Sequence, residues 1–276
     1  MQLFNILIEK FPFVKYSQQI TNTAIANLIQ NEREATIIDI GIGQGTQILN
    51  ILDLLKHSEK LEKLVVVGIE PFSNALATAQ ERIMSFSTAL SFEVEFIARQ
   101  EYIEQMDFTS LSKLPGKIVV NASLALHHIQ SEEQRLKTIE SVKSLNPAAF
   151  VLIEPNVNHF EPDLMKRLKQ CFHHFYSIFK VIDNLEIEET DKNALKLFFG
   201  REIEDILGKQ EADRYEKHEK ATQWIDRLVK SQFNIPKDVL KLPLESHLGV
   251  KMKYHQEGFF GFTYEEETVL AVIYAN

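Results

Sequence analysis

The residues best suited by type and spacing to do chemistry are Asp39, Gly41, Gly43, Gln44 and Gly45, together with Glu70. Three of the ten glycines in 276 residues fall within five positions here. An apolar run, residues 37–40, holds Asp39 and leads into them; Ile48, Leu49, Ile51, Leu52 and Leu55 follow on a helical period. The unit therefore reads as strand, glycine turn, helix. Backbone without Cβ lets a ligand approach closely, and the free N–H groups at a helix start favour an anion. Asp39 is placed to answer an amine, directly or through water. Glu70 ends a second apolar run, residues 64–69, and a carboxylate there accepts two hydrogen bonds from a vicinal diol. A second set follows later apolar runs: His127 and His128 after residues 117–122, and Glu154, Asn156, Asn158 and His159 after residues 150–154. Histidine near neutrality can take a proton from a hydroxyl or an amine. The competing reading makes these histidines caps or bridges and pairs Glu154 with a cation such as Arg201. His127, His128, Glu154 and His159 have no recognisable metal-ligand spacing, and no metal is expected.

These groups need a scaffold. Continuous apolar runs at 64–69 and 150–154 suit parallel strands buried on both faces. Strands also read at 92–98 and 117–122, with a helix at 73–85 between the second and third. Alternation of strand and helix predicts an α/β, Rossmann-like, doubly wound, mostly parallel sheet. Seven strands are expected, and the sixth and seventh form an antiparallel pair over 254–263 and 268–274, because the connection between them is short. Residues 1–35 read as an N-terminal helical cap, 36–159 as the ligand-binding core, 160–232 as a helical insertion, and 233–276 as strands completing the sheet. Phe11-Pro12-Phe13 breaks the first helix, so Phe13 and Tyr16 are candidates to cover the glycine loop and touch a substrate. Arg201, Arg214 and His218 come from the insertion. A helix there would put Arg214 and His218 on one face, with Glu211 beside them. They would form either a pocket wall or an ion-pair network fixing the insertion. Gln100 follows the third strand, where an amide or acid can meet an adenine amino group, with Glu101 as its rival. Asn121 ends the fourth strand beside the cofactor edge.

The pattern Asp-x-Gly-x-Gly-x-Gly resembles the first motif of S-adenosylmethionine-dependent methyltransferases with a Rossmann-like fold. It is not the dinucleotide fingerprint, since Thr46 stands where the third glycine would be. More specific are Phe11–Tyr16, Thr36–Ile40, Gln44-Gly45-Thr46-Gln47, Leu126-His127-His128, Glu154–His159, Gly200-Arg201-Glu202-Ile203, Arg214–Glu219 and Gln223-Trp224. In order, these resemble the segments of GRAS-domain proteins, with Ile48 replacing that family's tryptophan. The resemblance, taken as one to a bacterial member of the family, implies a methyltransferase-like fold. It also implies S-adenosylmethionine as cofactor and a small-molecule substrate in a covered pocket. The plant members are transcriptional regulators, so a non-catalytic binding protein holding a ligand or partner is the alternative. It expects an exposed apolar patch on the insertion. The shorter chain, without the plant N-terminal leucine-rich region, and the full glycine loop favour the enzyme. A homodimer stays open.

The net charge of −9 and pI of about 5.5 argue against binding a phosphate backbone. Cys171 is the only cysteine, which excludes an intrachain disulfide and suits a small buried hydrophobe. Glu9 and Lys10 interrupt the apolar N-terminus, so no signal peptide is read. No apolar run reaches membrane-spanning length. A cytoplasmic protein with no membrane partner is the expectation.

Overall fold

β1 (Glu34–Ile40) and β2 (Lys63–Ile69) pair in parallel and are buried along nearly their whole length. Alternate residues face opposite sides of the sheet. Ile37, Leu64 and Val66 enter one apolar cluster, while Ile38, Ile40, Val65 and Val67 enter another. Both faces are covered, which is why these strands show no polar alternation. The computed structural model describes residues 2–237, 239–240 and 246–276.

On the first face lie α1 (Gln2–Glu9), α2 (Pro12–Ile29), α3 (Thr46–Leu55), α4 (Ser73–Ser87), α6 (Leu164–Asp183) and α7 (Glu189–Gly208). On the second lie α5 (Glu132–Ser144) and α8 (Ala221–Lys230), with Trp224 fully buried. The remaining strands are β3 (Glu93–Arg99), β4 (Lys117–Ser123), β5 (Ala149–Pro155), β6 (Val250–His255), β7 (Phe259–Tyr264) and β8 (Glu267–Ala275). Their order is β3-β2-β1-β4-β5-β8-β7-β6. The first five are parallel, and β8, β7 and β6 are each antiparallel to their neighbours.

Among the described residues the sheet has eight strands, not seven. The stretch expected as one strand over 254–263 is divided between β6 and β7. Gly258, with φ of 106°, closes the reversal, and its N–H donates to the His255 carbonyl at 2.9 Å. Only glycine adopts that backbone region without strain. The added strand β6 occupies the sheet edge.

A second correction concerns residues 209–220, between α7 and α8. They do not continue a helix. Asp205 Oδ1 accepts from the Tyr215 and Glu216 N–H groups at 2.7 and 2.8 Å, and the His218 carbonyl accepts from the His159 N–H at 2.9 Å. Backbone groups that would sustain helical turns are thus taken by tertiary partners.

Candidate functional site

The glycine loop joins β1 to α3. The Gly41 and Ile42 N–H groups both donate to the Ile69 carbonyl, at 2.9 and 3.2 Å, which ties the loop to the end of β2. Arg82 on α4 donates to the Gln44 carbonyl at 2.8 Å and to Thr46 Oγ1 at 3.0 Å. The glycines differ in purpose. A Cβ at Gly45 would press on Ala79 and Ile83 of α4, so this glycine permits close helix packing. A Cβ at Gly41 would lie 2.6 Å from Ala125 Cβ. Gly43 has nothing within 4 Å in that direction. The loop is therefore covered by protein at its first glycine and open at its second.

Glu70 is buried beneath the loop. One carboxylate oxygen accepts from the Gly43 N–H at 3.1 Å, the other from the Phe72 N–H at 3.2 Å. Asp39 is buried, and burial foremost pushes its carboxyl up to about 7, against the hydrogen bond from Asn121 Nδ2 at 2.7 Å. Asn121 Nδ2 also reaches Gln47 Oε1 at 3.2 Å, and Gln47 Nε2 donates to Asn22 Oδ1 at 2.9 Å. Asp39, Asn121, Gln47 and Asn22 thus form one buried chain linking β1, β4, α3 and α2. Gln100 is exposed beyond β3, and Glu101 half-buried.

The second group of polar residues lies beyond β4 and β5. Leu124 has a φ of 56°, a left-handed conformation that costs a branched side chain about 1 kcal/mol or more. Its N–H is held by the Ile153 carbonyl at 2.7 Å. This bend lays Ala125 over Gly41 and starts the 3-10 turn Leu126–His128. Glu154 Oε1 accepts from the Leu126 and Ala125 N–H groups at 2.8 and 3.2 Å, while Oε2 lies 2.7 Å from His127 Nδ1. Glu154 pairs with His127, not Arg201, which is exposed on α7. Burial disfavours charge on both partners, raising the Glu154 carboxyl to about 7 and lowering the His127 imidazole to about 3.

The connection 209–220 brings its own groups to the same place. Glu216 Oε2 lies 3.6 Å from His127 Nε2 and 3.3 Å from His218 Nε2. His218 Nδ1 lies 3.0 Å from His159 Nδ1, and Arg214 donates to the His159 carbonyl at 2.6 Å. Burial drives His159 well below the usual imidazole range, and lowers His174, beside it, to about 3. His128 is 40% exposed, and its ring stands 4.0 Å from that of His127.

A buried clamp fixes this arrangement. Arg135 of α5 donates to the carbonyls of His127 (2.6 Å), Lys217 (2.8 Å) and Ile129 (2.8 Å), and pairs with Glu219 at 2.6 Å. Arg227 of α8 meets both Glu219 oxygens at 2.7 Å. Arg135 and Glu219 are wholly buried.

Other candidates have structural employment. Phe13 is 1% exposed in the core, against Phe11, and so is placed to pack rather than to meet a substrate. Tyr16 is half-buried, edge-on to His247. Asn156 joins the Thr268 carbonyl to the Ala221 N–H, and Asn158 accepts from the Phe160 N–H. Cys171 is buried, which raises its thiol to about 12. Glu216, Arg135, Gln47 and His174 were not singled out from sequence. Glu216 and Gln47 stand in the motifs quoted above, and His174 in residues 172–183, which resemble a further segment of the same family. On α6, Leu164, Met165, Leu168, Phe172 and Tyr176 are exposed, an apolar stripe at helical spacing. Among the described residues no helix is long and apolar enough to cross a membrane.

Known proteins share this architecture. SCL7 of Oryza sativa superposes with a TM-score of 0.85 at 19% identity, covering 99% of this chain and 82% of that one. The CMeT domain of the citrinin polyketide synthase gives 0.57 at 14% identity, covering 99% and 55%. In sequence, the DELLA protein GAIP of Cucurbita maxima is 25% identical over 240 residues, 82% of this chain and 41% of that protein. The Scarecrow-like transcription factor PAT1 of Arabidopsis thaliana is 24% identical over 249 residues, 84% and 51%. The chain spans about half the length of the curated relatives it matches. The family model described as the GRAS domain family matches residues 1–269, and with nearly the whole length aligned the chain belongs to the GRAS domain family.

Proposed function

We propose that this chain is a GRAS-type binding protein that holds a nucleoside-bearing small molecule of the S-adenosylmethionine class at the ends of β1 and β2. The pairing of Gly43 with Glu70 carries this reading: the loop glycine with open space beyond it stands over a buried carboxylate. Each Glu70 oxygen accepts one hydrogen bond from the protein and keeps capacity for a ribose hydroxyl. The start of α3 suits the ligand's carboxylate. Gln100 stands beyond the neighbouring strand for the base.

Binding without turnover is favoured by what the candidate proton-transfer groups already do. Glu154 holds two backbone N–H groups and His127, and His159 faces His218. The exposed stripe on α6 supports a role in holding a protein partner as well. The names of the relatives, a transcription factor among them, agree with a regulatory protein. Methyl transfer is the second reading. The His127–Glu154 pair favours it, because the pair lies beyond neighbouring strands at the same end of the sheet.

Titration calorimetry with S-adenosylmethionine and S-adenosylhomocysteine tests the proposal. One site is expected, weakened about 10- to 100-fold in Glu70→Ala, as for loss of hydrogen bonds to a charged group. Absence of heat at millimolar ligand overturns it. Transfer of a labelled methyl group to any acceptor, lost in His127→Ala, would instead establish the second reading.

A further inference from the structure

The geometry points to a mononuclear site for a divalent first-row transition metal ion, formed by His127, Glu216 and His218, with a position left open to water or a ligand. It is separate from the glycine loop and does not depend on what binds there.

Three observations support it. The first is convergence. His127 Nε2 and His218 Nε2 lie 3.6 and 3.3 Å from the same Glu216 oxygen, and all three ligand atoms fall within 4.8 Å of one another. The edge of a tetrahedron with metal–ligand bonds of about 2.1 Å is roughly 3.4 Å, so only small movements would close the site on an ion.

The second is unmet capacity. His218 Nε2 and Glu216 Oε2 are buried atoms with no hydrogen-bond partner, although they face each other at 3.3 Å. The His218 side chain is 1% exposed. Buried polar atoms left unsatisfied are uncommon, and an ion is one of the things that satisfies them.

The third is support from behind. His127 Nδ1 meets the Glu154 carboxylate at 2.7 Å, and His218 Nδ1 meets His159 at 3.0 Å. With Nδ1–H donated, by His127 to Glu154 and by His218 to His159, each Nε2 keeps the lone pair a ligand needs, the usual arrangement around a metal-bound histidine. Glu216 puts one carboxylate inside the cluster, and Glu154 stands behind His127, while Glu219 is shared between Arg135 and Arg227.

Two imidazoles and one carboxylate select a borderline ion such as zinc or ferrous iron over magnesium or calcium, which prefer all-oxygen shells. Three protein ligands leave a coordination position free, unlike a closed four-ligand structural site. Tyr215 and His128, 44% and 40% exposed, border the cluster on its solvent side.

The test uses the whole chain, stripped with chelator and titrated with Zn(II). One equivalent is expected to bind, raising the melting temperature. Glu216→Gln and His218→Asn are expected to weaken binding by at least about 100-fold, and Glu154→Gln, which acts through His127, by about 10- to 100-fold. Binding unchanged in both ligand variants, or less than half an equivalent bound by the wild type, overturns the site. Should either variant fail to fold, Cu(II) bound to the wild type decides. Pulsed electron resonance is expected to report two imidazole ligands, and one or none refutes the assignment.

Discussion

The two polar regions at the C-terminal end of the sheet are built in opposite ways. The glycine-loop edge is almost contiguous, with Asp39, Gly41, Gly43, Gly45 and Gln47 inside nine residues, and Glu70 on the next strand. Its working groups are largely backbone N–H. The histidine edge joins residues far apart in the chain, His127, Glu154, His159, Glu216 and His218, through side chains. One edge is held by turn geometry, the other by tertiary side-chain contacts and the Arg135–Glu219–Arg227 clamp. Ala125 touches both, since the bend at Leu124 that begins the histidine turn also covers Gly41.

This difference makes the two edges separable. The largest expected effect is from Glu219→Ala, which leaves Arg135 buried and unpaired at the clamp. It should cost about 3–5 kcal/mol by chemical denaturation. Ligand binding at the glycine loop should survive wherever the variant remains folded. Loss of both together would mean the edges form one unit.

Gly41→Val comes next. A branched side chain at φ of 74°, driven against Ala125, should cost about 2–3 kcal/mol. Gly43→Ala, at φ of 53° with open space, should cost only about 1 kcal/mol while still weakening the nucleoside. Denaturation midpoints of the pair report this asymmetry. Equal losses would show that Ala125 does not press on the first glycine.

Acid should act through the histidine edge. His174 is held neutral by burial, with its imidazole lowered to about 3. Its contribution is therefore present above the unfolded value of about 6.5 and lost progressively as pH falls toward 3. Buried carboxyls raised to about 7, Asp39 and Glu154, oppose this, since their contribution is full below their unfolded values of 3.8 and 4.5 and is lost as pH rises through 7. The wild-type profile mixes both signs, so the informative quantity is a difference. Relative to His174→Gln, the wild type should lose about 1.4 kcal/mol per pH unit below 6.5. Parallel profiles would mean that the imidazole is protonated in the fold. The smallest effect is expected at Arg201, whose exposed replacement by alanine should leave both stability and ligand affinity unchanged.

Legibility in the sequence followed the same division. The strand, turn and helix around Asp39 were readable, because apolar periodicity and glycine spacing act within about a dozen residues. Four of the five parallel strands were readable for a related reason, since burial on both faces leaves largely apolar runs, while β3 at the sheet edge is interrupted by exposed Glu93 and Glu95. The eighth strand was not. Gln256-Glu257-Gly258 is a short turn signal inside a run that otherwise reads as continuous. Residues 211–219 carry a helical i, i+4 pattern, yet Asp205 and His159 take the backbone groups a helix would use.

By itself the sequence determined the α/β scaffold, the glycine turn, the acid one strand over, and membership in a family whose motifs it carries in order. Each of these follows from neighbours along the chain or from composition within one strand. Only the tertiary structure decided that Ala125 covers Gly41, that Phe13 belongs to the core, and that Glu216 stands between His127 and His218. Those outcomes depend on where β4 and the connection before α8 meet in space. A separation of 89 residues between His127 and Glu216 leaves no periodic trace of that meeting.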